Sequence, residues 1–144
     1  MNAIDYGFKS YYDYIRSSID SLSVFIQIEH KDAVAELDEI VKNPYIDGYI
    51  LGPNDLSGSY GMPGDILSEK ITGVIKYTVD KLHNADKYVG IASGDCSPEI
   101  LEHWSGFGVE MLSAGADFDF LREGAAANRI NLEKIHKKNC CLPT

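Results

Sequence analysis

Four acidic residues stand just beyond four short apolar runs. Glu29 closes VFIQIE, Asp55 follows YILGPN, Asp95 follows VGIASG and Asp117 follows MLSAGA. If each run is a strand, side chains two apart share a face. Gln27 and Glu29 then project together from the end of the first. Glu29 and Asp55 belong to successive runs, so their carboxylates can converge on one point. Two hard oxygen ligands completed by water suit Mg²⁺ or Mn²⁺, which take octahedral oxygen sites. A solvated loop edge would also tolerate an acid at each place, and Asp55 could equally cap the turn after it. The Gln27–Glu29 repeat on one face is what a mere edge does not need.

Helical and strand patterns alternate around these acids. The segment 5–20 reads as a helix and SVFIQIE, 23–29, as a strand. Residues 32–43 form an amphipathic helix with Val34, Leu37, Ile40 and Val41 on one face, stopped by Asn43-Pro44. IDGYILG, 46–52, is a second strand, and the Gly- and Pro-rich PNDLSGSYGMPGD, 53–65, reads as a loop. A long helix over 66–85 turns Ile71, Val74, Ile75, Thr78, Val79 and Leu82 inward. KYVGIAS, 87–93, is the third strand. Ser97 as cap, Pro98 in the first turn and Glu99 beside the positive end start another helix. VEMLSAG, 109–115, is the last strand, and 117–138 is helical. Short apolar strands joined by helices imply an α/β fold with a parallel sheet. Two architectures fit: an open doubly wound sheet, or half of a (β/α)8 barrel, whose full form needs about 250 residues. In both, ligand chemistry gathers at the carboxyl ends of the strands.

The totals narrow the function. The 144 residues suit one domain, and 44% of them are hydrophobic, enough for a core. Thirteen basic against 22 acidic residues leave a net charge of −9, which disfavours nucleic acid and anionic membranes as partners. No apolar run reaches the roughly 18 residues of a membrane span. The start MNAIDYGFKS has neither the basic head nor the apolar stretch of a secretory signal. Cys96, Cys140 and Cys141 are odd in number and two are adjacent, so a reducing, cytoplasmic setting is expected. There is no zinc-type cysteine spacing. Cys96 has no His beside it in the pattern, which argues against a nucleophile. Gly58, Gly61 and Gly64 lack the lysine of a phosphate-binding loop, so nucleotide binding is disfavoured. Tyr6, Phe8, Tyr11, Tyr12 and Tyr14 read as helix packing, and Trp104 with Phe107 as core.

The stretch QIEHKDAVAELDEIVKNPYIDGYILGPNDLSGSYGMPG, 27–64, resembles the HpcH/HpaI aldolase/citrate lyase family of 2-oxo-acid aldolases. A QIE strand followed about two dozen residues later by G-P-x-D-L-S-x-S-x-G is that family's pattern, and both halves occur here in order. YVGIAS and MLSAGADFDFLREGA resemble its last two strands and the start of its final helix. The resemblance implies the second half, strands five to eight, of a TIM (β/α)8 barrel, with 1–144 as a single unit. It implies that Glu29 and Asp55 bind a divalent metal, Mg²⁺ or Mn²⁺ with Co²⁺ as a further choice. It also implies that Gln27 contacts the substrate, and that Asn54 and Asp55 present backbone amides to a 2-oxo acid's carboxylate. The reaction implied is cleavage of a 4-hydroxy-2-oxo acid to pyruvate and an aldehyde. Two alternatives are a lyase acting on an acyl-CoA and a truncated, non-catalytic subunit that keeps the fold.

The resemblance departs in one respect. The family's general base, a His, and its carboxylate-binding Arg come from the first half of the barrel. His30, His83, His103 and His136 do not match that base, and Arg16, Arg122 and Arg129 read as helix-surface residues. No secure catalytic residue is therefore assigned in this half. No lysine stands at a strand end to form a Schiff base; Lys31 opens a helix and Lys87 precedes its strand. Half a barrel leaves two strand edges unpaired and an interior wall open near Ile26, Ile28, Ile50 and Val89. The expectation is a homo-oligomer, or a partner chain supplying the first half. The closing helical stretch 118–138 resembles one that the family exchanges between subunits.

Overall fold

Helices and strands fall close to where the apolar spacing puts them. The computed structural model describes residues 7–8, 10–95 and 97–139. Helix α1 is Tyr11–Ser21, opened by Ser10, whose Oγ accepts the Asp13 N–H at 3.1 Å. It starts later than the predicted segment, of which residues 5, 6 and 9 lie outside the described ones, as do Cys96, Cys140 and Cys141. Strand β1 is Phe25–Ile28. The predicted 32–43 helix is two pieces, α2 Lys31–Ala35 and α3 Leu37–Ile40. They part at Glu36, whose φ of −96° and ψ of 14° take it out of the helical well. Strand β2 is Gly48–Leu51, and after it come α5 Glu69–His83, β3 Tyr88–Ile91, α6 Pro98–Ser105, β4 Met111–Leu112 and α7 Asp117–Asn139.

Between β2 and α5 the sequence reading needs correction. Residues 53–59 are not loop but a helix, α4, Pro53–Ser59. Pro53 takes the first helical position, where its missing N–H costs nothing. Asp55 sits in the first turn against the positive helix end. The density of Gly and Pro hides these start signals. A second correction concerns the aromatic cluster near the N-terminus. Phe8, Tyr11 and Tyr12 are 90, 66 and 69% exposed, because no described element lies over that side of α1. Trp104, by contrast, is fully buried, with Phe107 packed against it at 5.3 Å between ring centres.

The four strands form one sheet in the order β1-β2-β3-β4, parallel throughout. A doubly wound sheet reverses its order at a switch point. Here each strand simply adds beside the last, as a barrel is wound. The register aligns Ile26, Tyr49 and Val89 in one row and Ile28, Leu51, Ile91 and Leu112 in another. Two residues apart, these rows share a face, and most of their members join α5 residues such as Ile71, Ile75 and Leu82 in the core. The alternate rows, Phe25–Gly48–Tyr88 and Gln27–Ile50–Gly90–Met111, line the opposite face. Phe25 and Tyr88 are exposed there. This corrects the expected inner wall: Ile28 and Val89 lie on the helix-covered face, and of the four expected residues only Ile50 belongs to the open one. On that face glycine leaves room for its neighbours. A Cβ on Gly90 would meet Ile50 Cδ1 at 2.7 Å and Met111 Cβ at 3.1 Å.

The amino ends of the strands are fastened separately. Glu110 Oε2 accepts the Val89 N–H at 2.8 Å, and Oε1 lies 3.1 Å from His83 Nε2. Lys87 Nζ donates to the Ile46 carbonyl at 2.6 Å. The Val89 N–H, with His83 adding to it, holds the Glu110 carboxyl below its usual range. A carboxylate with a depressed folded pKa stabilises above its unfolded value and loses that contribution as pH falls through the folded one. Denaturation midpoints are therefore expected to fall more steeply below about pH 4.5 in the wild type than in Glu110→Gln. Parallel acid profiles would overturn this. Among the described residues no helix is long and apolar enough to cross a membrane.

Candidate active site

The strand-end acids differ in what they touch. Asp95 Oδ1 accepts the Ser97 N–H at 2.8 Å, and Asp117 Oδ1 accepts the Phe118 N–H at 2.8 Å. Both are occupied in shaping the turns that carry them. Among the described residues Glu29 and Asp55 make no hydrogen bond or ion pair with the protein. Glu29 is half-buried and Asp55 exposed. The pairing of Ile28 with Leu51 puts Glu29 in the next row beside Gly52. A Cβ on Gly52 would lie 3.2 Å from Glu29 Cβ and 3.4 Å from its Oε2. The Glu29 side chain thus runs across Gly52, the N-cap of the helix whose first turn carries Asp55.

Main-chain and side-chain bonds lock the supporting loops together. Gly52 N–H donates to the Ile28 carbonyl at 3.2 Å and Ala92 N–H to Leu51 at 2.9 Å. Lys31 N–H donates to Ser59 Oγ at 3.0 Å, joining the start of α2 to the end of α4. The Asn54 side-chain amide donates to the Ser93 carbonyl, linking the ends of β2 and β3. In α4 the Leu56 N–H is bonded to the Gly52 carbonyl at 2.9 Å. The N–H groups of Asn54 and Asp55, ahead of it, therefore have no partner within the helix. Gln27 is exposed on the same sheet face as Glu29, one row pair earlier.

Two carboxylates without protein partners suit a hard cation that keeps most of its water. A closed structural site would need a fuller set of side chains, and among the described residues no group of three or more His, Cys, Asp or Glu is so arranged. The donors present thus fit Mg²⁺ or Mn²⁺, with Glu29 and Asp55 as the residues that would hold it.

The histidines have other employment. His30 caps α2, its Nδ1 accepting the Asp32 N–H at 3.3 Å. His83 belongs to the Glu110 network, and His103 stacks edge-on to Trp104 at 4.5 Å. One feature near the strand ends was not read from sequence. Arg122, paired with Asp119 at 3.1 Å, lines a cleft of about 540 Å³ with Gly94, Asp95, Gly115 and Glu123. No local motif marks it, because the cleft arises only when the β3 and β4 loops meet the start of α7.

Comparison with known proteins gives the family and the fold. The profile of the HpcH/HpaI aldolase/citrate lyase family matches residues 1–105. A 2-keto-3-deoxy-L-rhamnonate aldolase of Escherichia coli O6:K15:H31 strain 536 is 30% identical over 105 residues, covering 73% of this chain and 39% of that protein. A hydroxypyruvate/pyruvate aldolase of Delftia acidovorans is 32% identical over 116 residues, covering 81% and 42%. The crystal structure of an HpcH/HpaI aldolase/citrate lyase family protein from Burkholderia cenocepacia J2315 superposes with a TM-score of 0.73 at 25% identity, covering 90% of this chain and 49% of that one. The chain spans about two fifths of the length of the curated relatives it matches, and its sheet corresponds to part of their (β/α)8 barrel. The chain belongs to the HpcH/HpaI aldolase/citrate lyase family.

Proposed function

We propose that the chain is the metal-holding part of a divalent-metal-dependent aldolase, a carbon–carbon lyase that cleaves 4-hydroxy-2-oxo acids to pyruvate and an aldehyde. One observation carries this reading: of the four strand-end acids, Glu29 and Asp55 alone have no protein partner among the described residues, and they stand at neighbouring strand ends. Glu29 and Asp55 would hold Mg²⁺ or Mn²⁺. The chemistry such an ion supplies when bound is polarisation of the 2-oxo acid, which stabilises the negative charge developing as the carbon–carbon bond breaks. The N–H groups of Asn54 and Asp55 would receive the substrate carboxylate, and Gln27 would reach it from the inner face of β1. The general base and a carboxylate-binding arginine would come with the remaining strands.

Such a route needs no imine. Lys87 is spent on the Ile46 carbonyl at the amino end of the sheet, and Lys31 starts α2 rather than ending a strand. The chain joined to the remaining strands is expected to release pyruvate from a 4-hydroxy-2-oxo acid, to stop in excess chelator and to resume with Mn²⁺. Treatment with pyruvate and borohydride should leave its mass unchanged. Full activity in chelator, or a pyruvyl adduct, would overturn the proposal.

A further inference from the structure

We infer that Asn54 is a positioning residue: its side-chain amide ties the first turn of α4, and with it Asp55, to the loop after β3, and this tie sets how well Glu29 and Asp55 receive a divalent cation. The inference rests on the metal reading above. Helix α4 has seven residues, too few to hold an orientation by its own hydrogen bonds. Three of the hydrogen bonds around it reach the strand ends: Gly52 N–H to the Ile28 carbonyl, Lys31 N–H to Ser59 Oγ, and Asn54 Nδ2 to the Ser93 carbonyl. The first two face β1; only the third faces β3.

Its anchor is rigid. Ser93 is 3% exposed, and its Oγ donates to the Asp95 carbonyl at 2.9 Å. Gly94 turns the chain with φ of +72°, a conformation that favours glycine. Asp95 closes the turn by accepting the Ser97 N–H. A Cβ on Gly94 would lie 3.4 Å from Asn54 Nδ2, so the amide is seated against this turn. Without the tie, Leu56 stays in the core and α4 keeps its packing on α5, but its first turn loses the hydrogen bond to the loop after β3 and Asp55 gains freedom to swing.

The experiment uses this chain with Mn²⁺, following the free ion by its paramagnetic resonance. Asn54→Ala removes the amide, and Asn54→Leu keeps its bulk without a donor. Both should bind Mn²⁺ about tenfold more weakly, the scale of losing a group that orients a ligand. Hydrogen exchange at the Leu56 amide, which donates to the Gly52 carbonyl at the start of α4, should quicken in both, with thermal melts close to that of the wild type. Faster exchange with unchanged Mn²⁺ affinity would reduce the tie to a structural role and overturn the inference. Unchanged exchange would also overturn it. Wild-type binding that is lost in Glu29→Gln but kept in both Asn54 variants would overturn the tie while sparing the metal reading. No Mn²⁺ binding by the wild type would overturn both.

Discussion

Mn²⁺ binding to this chain is expected to fall at least about a hundredfold in Glu29→Gln and likewise in Asp55→Asn, more than the loss of an orienting neighbour costs. Each substitution keeps the side-chain shape and removes one of only two protein charges in the proposed shell. A cation that keeps its remaining ligands as water has little else to hold it. Neither carboxylate supports the fold through a hydrogen bond or ion pair among the described residues, so both variants should melt like the wild type. That separation decides the matter: affinity lost with the melt unchanged supports the site, whereas unchanged Mn²⁺ binding in both variants would remove it.

The second large effect concerns assembly. Among the described residues strands β1 and β4 are each paired on one side only, and unpaired edges recruit other strands. Phe25 and Tyr88 stand exposed on the open sheet face, and Tyr11, Tyr12 and Ile15 are exposed along α1. Helix α7 adds Phe118, Leu121, Leu132 and Ile135, all more than half exposed. Apolar patches beyond a few hundred Å² are rare on soluble monomers. Residues 1–144 on their own are therefore expected to self-associate, or to pair with a chain that supplies the other four strands. Alone they should also cleave no 4-hydroxy-2-oxo acid. Sedimentation at micromolar concentration tests the first statement; a single ideal species of 15.9 kDa with a cooperative melt would overturn it. Pyruvate formed by the chain alone, and abolished by Asp55→Asn, would overturn the second. Adding the remaining strands should restore turnover.

Much of this was legible because strands and helices announce themselves through period. SVFIQIE and IDGYILG gave β1 and β2 within two residues, and the spacing of Ile71, Ile75 and Leu82 marked the buried face of α5. The strand-end positions of the four acids were legible too, since a carboxylate ending an apolar run stands out; that Asp95 and Asp117 are taken up by their own turns was not. Strand order was not, because a doubly wound sheet and a barrel use the same alternation of elements. The inner face was misassigned although the signal was present: if Gln27 and Glu29 share a face, Ile26 and Ile28 must lie on the other. Helix α4 was missed because seven residues carry too little periodicity to outweigh their Gly and Pro. The exposure of Tyr11 and Tyr12 had no sequence signal, since an amphipathic stripe says that a partner is needed and not where it comes from.

The glycines of the open sheet face bear on how this chain can change over generations. Ile50 and Met111 already fill the space above Gly90, and the Phe25 ring lies over Gly48. A side chain gained at either glycine displaces those neighbours, the Phe25 ring at 48 or the end of Ile50 and Met111 at 90. Substitutions along this wall are therefore coupled: growth at 90 is tolerated more easily once residue 50 or 111 has become shorter. Outward-facing positions on α5, such as Lys76 and Asp80, carry no such constraint and can drift one at a time.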